Sequence, residues 1–269
     1  MSLKKIKKYS CLFWRITLMS VARMFMYKEN TWVGMVTSMV YFIIQILFIY
    51  FLFAAGNIDY LAGFDRHEIY LVFAFSQLVV IFIFWFVSDN VRDMIKGIYQ
   101  GRLDFFLLKP VDPRFLIMYQ RFSGSFTISI VLYLLFLFPY LFYVHDFQLG
   151  IIAWMQIIYI LLVSLVIYTI LFWLAGLANF YWPNFQGMLL FINNIGEVNR
   201  YPKSIYPYVM QFLLTFIYPI FLVENPIYNV LDDSFSWELG VQMGLMTVIL
   251  VMIFLILWKD GLRRYGSAA

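Results

Sequence analysis

Asp89 and Asp93 lie four residues apart, which puts both carboxylates on one face of a helix. Integral-membrane prenyl transferases hold the magnesium of a diphosphate with acidic pairs at this spacing, because hard cations take several oxygen ligands. Such chemistry needs a second acidic cluster on the same side. Here Asp104, Asp112, Glu197 and Asp260 are scattered singly, and a plain helix terminus near Arg92 and Lys96 is the better account of the pair. The remaining catalytic inventory is thin. The two histidines, His67 and His145, both fall in loops, and there is no HExxH, GxSxG or Cys/His pair. No GxxxxGK[ST] loop is present to cradle phosphate. The single cysteine, Cys11, allows neither a disulfide within the chain nor a thiolate cluster.

A longer polar stretch, residues 89–121, offers recognition instead of catalysis. DNVRDMIKGIYQGRLDFFLLKPVDPRFLIMYQR carries six basic residues: Arg92, Lys96, Arg102, Lys109, Arg114 and Arg121. Ile95, Ile98 and Tyr99 give a short helix one apolar edge, and Gly97 and Gly101 limit its length. Leu103, Asp104, Phe105, Phe106, Leu107 and Leu108 form an apolar run too short to cross a bilayer. Lys109, Pro110, Val111, Asp112 and Pro113 end it, the two prolines stiffening the backbone. A rigid apolar knob in a basic loop suits docking into a groove on another protein. The residues alone leave a second reading open, in which Phe105–Leu108 dips into the adjacent leaflet.

The elements that position this loop are apolar. Of 269 residues, 64% are hydrophobic and 13% charged, with a mean hydropathy of +0.83. That is about half the ~25% charge of a soluble domain, so lipid is the main solvent. Judged against the ~20 apolar residues that cross a bilayer, six spans are expected: 32–55, 69–88, 122–144, 152–178, 206–223 and 238–258. The basic, amphipathic segment 4–28, within an interfacial region 1–30, has Ile6, Tyr9, Phe13, Ile16 and Ser20 at helical spacing, with Lys5, Lys8, Arg15 and Arg23 elsewhere. It is expected to lie in the headgroup plane, apolar side down. No cleavable signal peptide is evident. With both termini cytoplasmic, eighteen of the nineteen Lys/Arg fall inside and only Arg66 outside, whereas the outer loops 56–68, 145–151 and 224–237 carry Asp59, Asp65, Glu68, Asp146, Glu224, Asp232 and Asp233. Residues 179–205 combine an apolar face (Met188, Leu189, Phe191, Ile192, Ile195) with Asn184, Asn193, Asn194, Glu197 and Arg200. They are expected to form a cytoplasmic interfacial helix stopped by Pro202. The fold class is all-α membrane protein in a single domain, 1–269. Polar side chains inside spans nominate Gln45, Gln77, Gln156 and Asn179 as path-lining residues, with interhelical hydrogen bonding as the plainer account.

Gly101, Leu103, Asp104, Leu107, Leu108, Lys109, Pro110 and Pro113 resemble the G-x-L-D-x-x-L-L-K-P-x-x-P signature of a bacterial ABC-2-type permease family. Arg200-Tyr201-Pro202 and Leu214-Thr215-Phe216-Ile217-Tyr218-Pro219 are similar to its R-Y-P and L-T-F-x-x-P blocks. The resemblance implies a six-span subunit of an exporter in the bacterial cytoplasmic membrane, with no ATPase or metal site of its own. ATP and Mg would be bound by a separate cytoplasmic ABC ATPase dimer, docked on the loop from Arg92 to Pro113. A second permease, itself or a paralogue, and membrane lipid complete the expected partners, without nucleic acid. The expected substrate is amphipathic or apolar.

Overall fold

The computed structural model describes residues 3–56, 59–145, 149–182, 185, 187–223 and 225–266. Asp146, Asn184 and Glu224, read above as loop residues, lie outside them. Among the described residues the fold is all-α apart from one two-stranded hairpin. The basic segment forms α1 (Leu3–Met26), followed directly by α2 (Lys28–Gly56). Strands β1 (Tyr60–Leu61) and β2 (Phe64–Asp65) pair antiparallel about Ala62 and Gly63, both at positive φ (55° and 94°). Asp65 then starts α3 (Arg66–Phe82) with a reciprocal cap: its carboxylate accepts from Glu68 N at 2.8 Å, and the Glu68 carboxylate accepts from Asp65 N at 2.7 Å.

A π turn at Ile83–Val87 joins α3 to α4 (Ser88–Tyr99), so one helix runs from Arg66 to Tyr99. Past the polar loop, with α5 (Asp104–Leu107) and α6 (Pro113–Met118), the chain re-enters as α7 (Gly124–Leu132). A second π turn (Tyr133–Leu137) leads into α8 (Phe138–His145). α9 (Ile151–Leu177) runs into a 3-10 turn at Ala178–Phe180. α10 (Gly187–Gly196) continues through 3-10 turns at Glu197–Arg200 and Lys203–Ile205. α11 (Tyr208–Phe212), a third π turn (Leu213–Ile217) and α12 (Pro226–Leu231) precede α13 (Trp237–Arg264), which Ser236 caps by accepting from Leu239 N at 3.2 Å.

Among the described residues, four helices are long and apolar enough to cross a membrane: Lys28–Gly56, Arg66–Tyr99, Ile151–Phe180 and Trp237–Arg264. Counted as one span, a bent pair makes a fifth. The expected count of six spans is therefore not confirmed. The third expected span has its apolar part in the shorter stretch Gly124–Tyr140. The fifth, 206–223, is not straight: Tyr208–Ile217 and Ile220–Leu231 meet at 76°. Pro219 is the reason, since it has no N–H to continue the ladder and pushes Tyr218 out of the helical region (φ −124°, ψ 86°).

Residues 179–205 also depart from expectation. Tyr41, near the middle of α2, donates to the Glu197 carboxylate at 2.6 Å, and Gly196 packs on the Tyr168 hydroxyl, well inside α9. Asn225 accepts from Lys203 N at 2.8 Å and donates to Tyr201 O at 2.9 Å. This segment thus runs up through the bundle to meet a residue assigned to the opposite loop. Leu189 and Ile192 are buried in the core, and an interior groove holds their side chains better than a flat position in the headgroups.

The ends of α4, α9 and α13 converge on the face that bears the loop. Val91 and Met94 pack on Gly176, and Phe180 packs on Gly261 between the rings of Trp258 and Tyr265. A Cβ at Gly261 would stand 2.5 Å from Phe180 Cδ2 and 2.9 Å from Cγ, and the pinned ring has no room to give. Gly261→Ala is expected to cost about 1–3 kcal/mol by overpacking, read as a lower midpoint in a thermal scan of the detergent-solubilised protein.

Candidate functional site

The loop between α4 and α7 is a stapled structure, not a floppy excursion. Its mouth is closed by Asn90, which is wholly buried. The side-chain amide of Asn90 donates to Phe86 O (2.7 Å), Met118 O (3.0 Å) and Arg121 O (3.0 Å), while its oxygen accepts from Arg121 N (3.2 Å). One side chain thereby ties the first turn of α4 to the chain returning from α6. Beside it Arg121 pairs with Asp93 at 3.1 Å, and Ser123 N donates to Trp85 O inside the π turn at 2.8 Å.

The end of α4 explains the G-x-L-D pattern physically. Gly101 takes φ +68°, and Arg102 N returns to Gly97 O at 2.8 Å, the helix-ending bond of a left-handed cap. That reversal turns Leu103 inward, 1% exposed and against Gly97, and starts α5 at Asp104. At the far end Asp112 caps α6, with Pro113 at its first position. Its carboxylate accepts from Arg114 N (2.9 Å) and from the Arg114 guanidinium (2.7 Å), and those hydrogen bonds hold it below the usual carboxylate range. A folded-state pKa below the unfolded one stabilises at neutral pH and is lost as pH falls through the depressed value. Asp112→Ala should cost α6 about 1 kcal/mol, seen as faster hydrogen exchange over 114–118. Wild type should show the same acceleration only on acidification below about pH 4.

These staples divide the expected coupling residues into two sets. Ile95 and Leu103 are buried and Ile98 is half-buried; with Asp104 at the start of α5 and Pro113 at the start of α6, they shape the loop. Arg92, Tyr99, Arg102, Phe105, Leu107, Leu108, Lys109 and Pro110 are exposed, together with Lys96. Tyr99 is 64%, Phe105 68% and Leu108 84% exposed, which makes three apolar tips among four cations. Lys109 also lies over the Phe106 ring at 5.4 Å. The loop touches two other elements. Lys8 Nζ donates to Pro110 O (2.9 Å) and Asp112 N donates to the Tyr9 hydroxyl (3.2 Å). The buried Tyr265 hydroxyl, just past α13, lies against the backbone N–H groups of Leu103 and Asp104 without closing a normal hydrogen bond.

The nominated path residues do not converge. Gln45 is half-buried on α2, and Gln77 is enclosed in α3 with neither amide atom paired. Gln156 lines a groove of about 510 Å³ against the start of α13. Asn179 closes the other end of α9, donating to Ala175 O and Gly176 O at 3.3 Å each. Asp93, engaged by Arg121, is not free beside Asp89, and among the described residues no cluster of three or more His, Cys, Asp or Glu could hold a metal ion.

Asn90 and Tyr265 were missed in the sequence. Asn90 sat in a Ser-Asp-Asn run that reads as an ordinary helix end, and Tyr265 lay beyond the last span. No curated protein and no solved structure matches the chain. A family described as "ABC-2 family transporter protein" matches residues 39–269, which takes in α2 from its middle, the whole stapled loop and every later helix. The chain belongs to the ABC-2 transporter family and is a multi-pass membrane permease component of an ABC transporter.

Proposed function

We propose that the chain is the membrane subunit of an ATP-driven exporter and that the exposed crest Arg92–Tyr99–Phe105–Leu108–Lys109 is the surface gripped by a separate cytoplasmic ABC ATPase. The single observation that supports it most is the division of the loop. Buried Ile95, Leu103 and Asn90 make it stiff, while its apolar tips point away from the core. A protruding apolar anchor ringed by cations fits an acidic-rimmed groove on a partner. Stiffness matters because a coupling element does work only if its two positions differ in binding to the motor. The contacts of Leu103 with Gly97 and of Tyr265 with the start of α5 offer routes from crest to bundle, toward spans 66–99 and 237–264 respectively.

On this reading the loop face is cytoplasmic, the membrane is a bacterial plasma membrane, ATP and Mg are held by the ATPase, and two permeases, identical or paralogous, stand on two ATPases. The exported substrate is amphipathic or apolar. Affinity purification of the detergent-solubilised protein from its native membrane, with mass spectrometry of what accompanies it, tests the proposal. The expected companion carries a GxxxxGK[ST] loop; its absence even after gentle crosslinking would remove the motor from the reading.

A further inference from the structure

α1 has three faces, and the exposed apolar one is new to the structure. Tyr9, Phe13, Ile16 and Ser20, expected to face lipid, instead seat the helix on the protein. The Tyr9 ring meets Phe115 at 4.7 Å, Phe13 meets Tyr119 and Phe122 at 5.7 and 5.8 Å, and Ser20 Oγ accepts from Phe122 N at 3.1 Å. A second face, at positions 14, 18, 21 and 25, presents Trp14, Leu18, Val21 and Phe25, which are 63, 52, 39 and 67% exposed. On the third lie Lys8, Arg15 and Arg23, all exposed. Residues 1–28 contain no acidic side chain. Exposed rings and aliphatics beside cations, on a helix with no acid of its own, are the signature of a helix lying at an anionic lipid surface.

Between the seated face and the apolar face opens a groove of about 540 Å³, walled by eight aromatic side chains from α1, the turn at 82–86, α6 and Phe122, with Ser10 at its rim. Its volume is that of a small-molecule site. Its lining is almost wholly apolar, so an ionic or sugar-like ligand would be desolvated there without partners. From Ser10 at the rim, Lys7 lies three residues before and Trp14 four residues after, on the same side of α1 by helical spacing and both exposed. We propose that this groove holds one acyl chain of an anionic phospholipid whose phosphate is met by Lys7, and that the bound lipid fastens α1 against the loop it touches through Lys8 and Tyr9. The choice of lipid rests on that polarity: an apolar slot continuous with a lipid-facing helix surface, with positive charge at one end. The proposal stands apart from the coupling reading, because lipid binding is measured with no ATPase present.

The test is native mass spectrometry of the delipidated full chain titrated with dioleoyl-phosphatidylglycerol or dioleoyl-phosphatidylcholine. The anionic lipid is expected to bind at least tenfold more tightly. Ser10→Trp, at an exposed rim position where the indole fills the slot without disturbing the core, is expected to weaken it at least tenfold. Lys7→Gln should erase the preference between the two lipids. Equal binding of both lipids overturns the proposal. So does a preference that survives Ser10→Trp, or displacement of the lipid by millimolar inorganic phosphate, either of which would confine recognition to the headgroup. A change in copy number with Ser10→Trp would assign the groove to a second permease and overturn it as well. Phosphatidylglycerol with a photoreactive acyl chain gives a readout free of variants: labelling is expected within 82–86 and 115–122, and labelling confined to α2 and α13 counts against the site.

Discussion

Phe105→Asp combined with Leu108→Asp is expected to release the ATPase while leaving the permease folded. Both side chains are largely exposed, 68 and 84%, so the isolated protein loses almost no buried area and its thermal midpoint should hold. At an interface the same tips are anchors, each worth about 2 kcal/mol when truncated from a desolvated pocket. Together they correspond to roughly a thousandfold weaker association, and a charge forced into an apolar pocket adds to the loss. The ATPase should then vanish from the co-purified material and ATP-dependent export should fall to background. Leu103→Asp is the informative contrast. Leu103 is 1% exposed, so that variant is expected to fail as a fold, with little monodisperse protein recovered. If the double variant keeps its ATPase, the docking surface lies elsewhere on the chain.

The second large effect is expected at Asn90. Asn90→Leu is close to it in size but offers no hydrogen bonds, leaving Met118 O, Arg121 O and Arg121 N without the partners they have now. A buried group left unpaired costs about 1–3 kcal/mol, so the sum is roughly 3 kcal/mol or more, a large share of a typical domain's stability. The damage should be local. Hydrogen exchange would show the segment 113–123 and the first turn of α4 opening, with α9 and α13 protected as before. Asn90→Asp keeps an acceptor for Arg121 N but loses both donors and buries a charge near Asp93, so it should be no better tolerated. A wild-type exchange pattern in Asn90→Leu would mean that the loop is held by Leu103 and the α1 contacts alone.

Much of this was legible in the residues. Low charge density and long apolar runs give a membrane helix bundle on composition alone, and the basic, proline-ended stretch after Asp89 stands out against it. Four things were not legible, each for a stated reason. Periodicity says which α1 side chains share a face but not which face meets protein: Tyr9 and Phe13, expected to face lipid, meet the loop, while Trp14 and Leu18 stand exposed. Hydropathy measures a window, and a chain folded back on itself at Pro219 has the same window as one that runs straight, so 206–223 read as a span. Inside the loop, Ile95 and Leu103 look no different from Phe105 and Leu108 until the positive φ of Gly101 decides which way each turns. Asn90 carries no signal at all in a single sequence, because the partners by which it closes the loop, 28 and 31 residues away, are backbone atoms.

The turns at Ile83–Val87 and Tyr133–Leu137 place a widened ring in each of the two helices that flank the loop. From the first of these to Tyr99 the helix extends about 18 Å at its usual rise, and the loop is rigidly clamped to that arm by Asn90. A displacement of about 1 Å delivered at Tyr99 is then a rotation of about 3° about the ring, if the helix below it stays straight. On the coupling reading the two flanking helices act as short levers whose fulcrums lie inside the membrane. The motor's stroke would be spent turning α4, and with it the end of α9 on which Val91 and Met94 seat, while the α3 half capped at Asp65 stays still.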